Sequence, residues 1–152
     1  MISIARTLLK DIVIAAQSAY PNECCGLVVG RVRSNGEVVV SRVCDSPNLS
    51  HDPAMRFEID AQLRFDLMRE LEGGPERILG HYHSHPDRPA QPSQRDLDQA
   101  WEPDMIWLIV SVEAGEAIHT TAHVLDEAGQ QFREIPLRTM DWEPYPSRPT
   151  DA

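Results

Sequence analysis

The sequence predicts an α/β protein, a single domain with a mixed β-sheet flanked by helices. Segments of helical period alternate with short runs rich in β-branched residues. The run from Met105 to Val112 is apolar almost throughout, the pattern of a strand buried on both faces. The 152 residues suffice for one core, and 41% hydrophobic with 25% charged residues is ordinary for a globular chain.

Ile2 to Ile4 is expected to form a short edge strand. From Arg6 to Tyr20, apolar residues recur at Leu8, Leu9, Ile12, Ala15, Ala16 and Ala19, which is helical spacing, and Pro21 stops it. Cys25 to Val32 and Glu37 to Val43 are β-branched runs joined by Ser34, Asn35 and Gly36, so a hairpin is expected. A polar loop with Pro47, Asn48 and Pro53 follows, and then Arg56 to Ile59 is expected as a strand. Asp60 is placed to cap a helix with Leu63, Leu67 and Leu71 on one face, ended by Gly73 and Gly74. Ile78 to Pro86 reads as a strand entering a loop punctuated by Pro86, Pro89 and Pro92. Ser93 to about Trp101 reads as a short helix. Ala117 to Leu125 and Gln131 to Leu137 read as a closing hairpin turned by Asp126 to Gly129. The domain is expected to span residues 1–138. Residues 139–152 have no periodicity and contain Pro144, Pro146 and Pro149, so a mobile tail is expected, with Trp142 and Tyr145 as possible docking residues.

The formal net charge of −10 argues against general affinity for nucleic acid or anionic lipid, which requires clustered Lys and Arg. It fits either steering of a basic partner or an acidic, salt-adapted proteome. No apolar run approaches the roughly 18 residues of a membrane span. Arg6, Lys10 and Asp11 interrupt the apolar pattern where a signal peptide needs an unbroken centre, so a cytoplasmic protein is expected. Cys24, Cys25 and Cys44 are then reduced, structural thiols, since adjacent cysteines rarely build a disulfide framework.

The chemistry concentrates between Gly80 and Asp98, in GHYHSHPDRPAQPSQRDLD. On a strand, His83 and His85 would face one side at a separation one metal ion bridges. Asp96 follows eleven residues after His85, on the expected helix. Two imidazoles and a carboxylate make the three-ligand set of a catalytic zinc site. Each fragment also has an ordinary structural reading: the histidines as satisfied polar residues, and Ser93-x-x-Asp96 as a helix N-terminus. His81 shares the strand face by parity and is read as a packing or supporting residue, with a third-ligand role as the alternative. His51, His119 and His123 fit no ligand spacing.

Taken together, His83-Ser84-His85-Pro86, Ser93 and Asp96 give the order His, Ser, His, seven residues, Ser, two residues, Asp. In this the chain resembles the JAMM (MPN-plus) zinc metalloproteases, in their small prokaryotic branch. Glu23-Cys24-Cys25-Gly26 resembles the family's upstream Glu-x-Cys-Gly segment. The element order across Ile2 to Leu137 also resembles that domain, which implies a cytidine-deaminase-like architecture. The resemblance implies Zn²⁺ held by His83, His85 and Asp96. It further implies Glu23 as the proton shuttle, and Ser93 as a hydrogen-bond donor to the oxyanion. Ser84 would shape the ligand turn. The implied activity is a peptidase or isopeptidase acting at the C-terminus of a ubiquitin-like or sulfur-carrier protein with a Gly-Gly-type tail, releasing an adduct such as cysteine. The alternatives are a deubiquitinase-like isopeptidase on Lys linkages and a noncatalytic scaffold that binds a ubiquitin fold. Scaffold members lack the ligands, which this chain has. A zinc deaminase would need His-x-Glu followed by Pro-Cys-x-x-Cys, which is absent. The oligomeric state is left open.

Overall fold

The computed structural model describes residues 1–100, 102, 104–126, 128 and 131–141. The strands are β1 (Ile2–Ala5), β2 (Cys25–Val32), β3 (Val38–Ser46), β4 (Arg77–Pro86), β5 (Ile106–Glu113), β6 (Glu116–Leu125), β7 (Phe132–Ile135) and β8 (Leu137–Met140). The helices are α1 (Arg6–Ala19), α2 (Ala61–Leu71) and α3 (Gln94–Asp98). All eight strands share one mixed sheet in the order β7-β6-β5-β4-β2-β3-β1-β8. Pairing is parallel for β1 with β3, β1 with β8, and β4 with β5, and antiparallel elsewhere. No helix among the described residues is long and apolar enough to cross a membrane.

β7 and β8 lie at opposite ends of the strand order, yet only Pro136 separates them. The sheet must therefore curl until its two ends meet at that residue. Inside the curl, α1 buries Ile12 and Ala16 against Ile2, Ile4, Val28, Val40, Tyr82, Leu108 and Val110. On the other face, α2 sets Leu67 against Leu27 and Val29, with Leu63 and Leu71 beside it, as its sequence period predicts. The Asp60 side chain caps α2 by accepting from the Gln62 amide. β5 is buried at every residue from Ile106 to Val112, which fits its continuous apolar run.

Several expectations are corrected. β1 is not an edge strand: it lies between β3 and β8, and all four of its residues are buried. Arg56 to Ile59 is not a strand. The Asn48 side chain ties this segment down instead, donating to the Arg56 carbonyl at 2.9 Å and accepting from the Glu58 amide at 3.1 Å. The run expected from Gln131 to Leu137 breaks at Pro136, which cannot donate to a ladder, and its two halves serve opposite ends of the sheet. The expected domain boundary after residue 138 falls inside β8. Trp101, part of the Asp126–Gly129 turn, and the tail with Trp142 and Tyr145 lie outside the described residues.

Candidate active site

The ligand strand β4 sorts its residues by parity. Tyr82 faces the α1 core, while His81 and His83 face an aromatic cluster of Phe57 and Trp107. Phe57 stacks on the His83 ring at 4.4 Å and 17°. Trp107 meets His81 edge-on at 4.1 Å. His81 is thus a packing residue, and burial pushes its pKa down to about 3, which keeps it neutral. His83 and His85 are buried at 0% and 2% exposure.

Antiparallel pairing of β2 with β4 sets Cys25 opposite His83 and brings the preceding Glu23 to the histidines. Ser84 fixes that approach: its Oγ accepts from the Cys24 amide at 2.8 Å, and its own amide donates to the Cys24 carbonyl at 3.2 Å. Asn48 Nδ2 donates to the Glu23 carbonyl at 3.0 Å, and the Glu23 amide donates to the Pro53 carbonyl at 2.8 Å. Gly26 allows the close approach of β4, since a Cβ there would collide with the Tyr82 ring and the Cys44 carbonyl. Cys24, just before β2, and Cys25, its first residue, enter different apolar clusters, and all three cysteines are free.

The third element is α3. Ser93 and Asp96 form a reciprocal capping box: Ser93 Oγ accepts from the Asp96 amide at 3.1 Å, and Asp96 Oδ2 accepts from the Ser93 amide at 2.8 Å. The capping reading and the ligand reading of Asp96 are therefore compatible. The same carboxylate lies 3.2 Å from His83 Nε2 and 3.1 Å from His85 Nε2, and the two Nε2 atoms are 2.9 Å apart. Burial pushes the Asp96 carboxyl up, but the neighbouring imidazoles and the Ser93 amide outweigh it and hold it well below the usual range. A carboxylate oxygen of Glu23 also lies within 4.8 Å of the ring nitrogens of His83 and His85. Burial raises the Glu23 pKa, against partial offsets from His83, Arg88 and His85.

This donor set fits a cation. His85 Nδ1 donates to the Pro89 carbonyl at 2.9 Å, which leaves the Nε2 lone pair facing Asp96 and His83. With His85 neutral, that lone pair and the Asp96 carboxylate repel unless a proton or a cation lies between them. Ligand atoms about 2.0–2.1 Å from a tetrahedral ion stand roughly 3.3 Å apart. The observed spacings of 2.9, 3.1 and 3.2 Å are close to that edge.

The structure thus brings together all five expected residues, Glu23, His83, His85, Ser93 and Asp96. It adds some the sequence did not mark. Arg88 Nη2 donates to Glu23 Oε2 at 2.9 Å. His123 pairs with Thr121 Oγ1 at 2.8 Å, and Thr121 donates to the Ala90 carbonyl at 2.6 Å, which pins the loop between the ligands. Only the proline spacing of that loop hinted at its rigidity.

The curled mixed sheet and the candidate metal cluster at the C-terminal end of β4 point to one class. A family model described as prokaryotic homologs of the JAB domain matches residues 5–124, and the chain belongs to this family. It is 28% identical over 115 residues to a protein of Haloferax volcanii named desampylase, with 76% of each chain covered. It is 29% identical over 108 residues to a protein of Mycobacterium tuberculosis named CysO-cysteine peptidase, with 71% of each covered. A solution structure of a Desulfitobacterium hafniense protein matches with a TM-score of 0.79 at 27% identity, covering 93% of this chain and 94% of that one.

Proposed function

We propose that this chain is a zinc-dependent peptidase that hydrolyses the amide bond at the C-terminus of a ubiquitin-like, sulfur-carrier-type protein. The observation that carries the reading is the convergence of His83 Nε2, His85 Nε2 and the Asp96 carboxylate within 3.2 Å, with buried Glu23 beside them. His83, His85 and Asp96 are the residues to hold the ion. When bound, zinc lowers the pKa of its water toward about 7 and polarises the scissile carbonyl.

The chain's own groups supply the rest. Glu23 has Oε2 held by Arg88, so Oε1 takes the proton of the attacking water and returns it to the leaving nitrogen. Its burial makes it more basic than an ordinary glutamate, which suits that task. Ser93 Oγ accepts from the Asp96 amide, so its own hydroxyl proton remains to be donated to the developing oxyanion. The segment from Pro86 to Pro92 forms one wall. It is fixed by the Asp87 amide donating to the Val112 carbonyl at 2.6 Å and by Thr121 on Ala90. A rigid wall favours a flexible, narrow tail such as Gly-Gly, whose backbone approaches the site closely. The names of the desampylase and the CysO-cysteine peptidase support a substrate of this kind.

The test uses a ubiquitin-fold carrier ending in Gly-Gly with an amide-linked amino acid, offered with zinc. Cleavage after the last Gly is expected. Val in place of that Gly should slow it at least about tenfold, roughly 1.4 kcal/mol of transition-state stabilisation. Cleavage of Lys-linked conjugates alone would move the assignment to an isopeptidase. Binding without any cleavage would make the chain a scaffold.

A further inference from the structure

Arg88 has no part in the ligand set, yet the fold holds it against the centre. It follows Asp87, whose φ of 55° is left-handed and uncommon outside glycine. Three hydrogen bonds secure that turn: the Asp87 amide on the Val112 carbonyl at 2.6 Å, and the Asp87 carboxylate accepting from Tyr20 Oη at 2.7 Å and the Ala114 amide at 3.0 Å. The Arg88 side chain is thereby directed to Glu23, its Nη2 2.9 Å from Oε2, with 26% of the side chain exposed. Its Nε is buried and has no acceptor among the described residues. No other Lys or Arg among the described residues forms an ion pair with Glu23 or Asp96.

A guanidinium carries five donors in a planar fork suited to bidentate recognition of carboxylates. Glu23 takes one and Nε is buried, which leaves Nη donors on a side chain that is 26% exposed beside Glu23. Glu23 is also where the leaving nitrogen must arrive to receive its proton. In an α-amino acid leaving group the carboxylate carbon lies only about 2.5 Å from that nitrogen. A Lys ε-nitrogen has methylenes in that place.

Resting on the peptidase reading above, we infer that Arg88 is a specificity-determining residue that binds the free α-carboxylate of the departing amino acid. It selects carriers bearing a C-terminal amino-acid adduct over Lys-linked conjugates. The reaction is a plain hydrolysis. The C–N bond breaks, and the water oxygen joins the carrier carbonyl carbon. Both protons of the water pass to the nitrogen by way of Glu23, giving a carrier carboxylate and an amino-acid zwitterion.

Two peptide pairs test this on the full, zinc-loaded chain. The first pair ends in Gly-Gly followed by one amino acid, as the free carboxylate or the carboxamide. The second pair has the scissile N–H replaced by CH2, so that binding is read without turnover by fluorescence anisotropy. The wild type should favour the carboxylate at least about tenfold in kcat/KM and in affinity. Arg88→Ala should bring both ratios near one, and Arg88→Lys should restore part of them, since charge remains without the fork. Each ratio is taken within one variant, so a general loss from disturbing Glu23 cancels. Equal use of both peptides by the wild type, or a ratio unchanged in Arg88→Ala, overturns the inference. If neither peptide is cleaved, the peptidase reading fails, and the binding ratio alone decides the role of Arg88.

Discussion

Replacing Glu23 with Gln separates the proton shuttle from the metal ligands, which the spacing alone leaves open because Glu23 lies within 4.8 Å of both histidine donors. The side chain is 2% exposed, and Gln keeps its shape. Its amide oxygen can still accept from Arg88 Nη2, now 2.9 Å from Oε2. Arg88 is a quarter exposed, so water compensates its charge and the loss of stability should be no more than about 1 kcal/mol. His83, His85 and Asp96 are untouched, so the metal content should remain at one ion per chain. Turnover should fall about 10²–10⁴-fold, roughly 2.7–5.5 kcal/mol, the range for losing a positioned general base. Metal analysis and single-turnover hydrolysis on the same preparation read both quantities. If metal and activity disappear together, Glu23 is a ligand and the three-residue set is wrong. If the rate stays near wild type, another group is the base.

The purified protein should carry about one zinc per chain and lose it in His83→Ala, as metal analysis will show; no uptake on titration would refute the site. Ser84→Ala removes the acceptor of the buried Cys24 amide and should cost about 1–3 kcal/mol, measurable by denaturant unfolding, with slower turnover because Glu23 loses its anchor. Truncation after Pro136 removes β8 and the buried Met140 and leaves β1 unpaired on one side, so a loss of about 2–4 kcal/mol is expected by thermal unfolding. Burial pushes Cys24 up to about 11 and Cys25 up to about 12, so at pH 8 the thiolate fraction is about 0.1% or less, and alkylation followed by mass spectrometry should find both unmodified.

The candidate site residues were legible because they are chemically distinctive and closely spaced. His83 and His85 share a face on any strand, and Ser93 with Asp96 announces a helix start. The supporting residues were not. Asn48 bonds Glu23 across 25 positions and Arg88 does so across 65, and no local pattern encodes such pairs. Arg56 to Ile59 has strand composition but bonds to the Asn48 side chain and to loop backbone at Leu49 and Asp52 instead of a ladder, which a periodicity cannot reveal.

By itself, then, the sequence determined most of the element types, through hydrophobic period, and the candidate donor set, through motif spacing. Tertiary structure decided strand neighbours. β1 and β8 are four residues each, too short for a period to tell an edge from an interior strand, and their pairing joins residues 2–5 to 137–140. It also decided that the cluster carries an arginine. Whether a charge at one loop position meets a carboxylate at another depends on chain closure in three dimensions, here on the turn at Asp87 that folds Arg88 back onto Glu23.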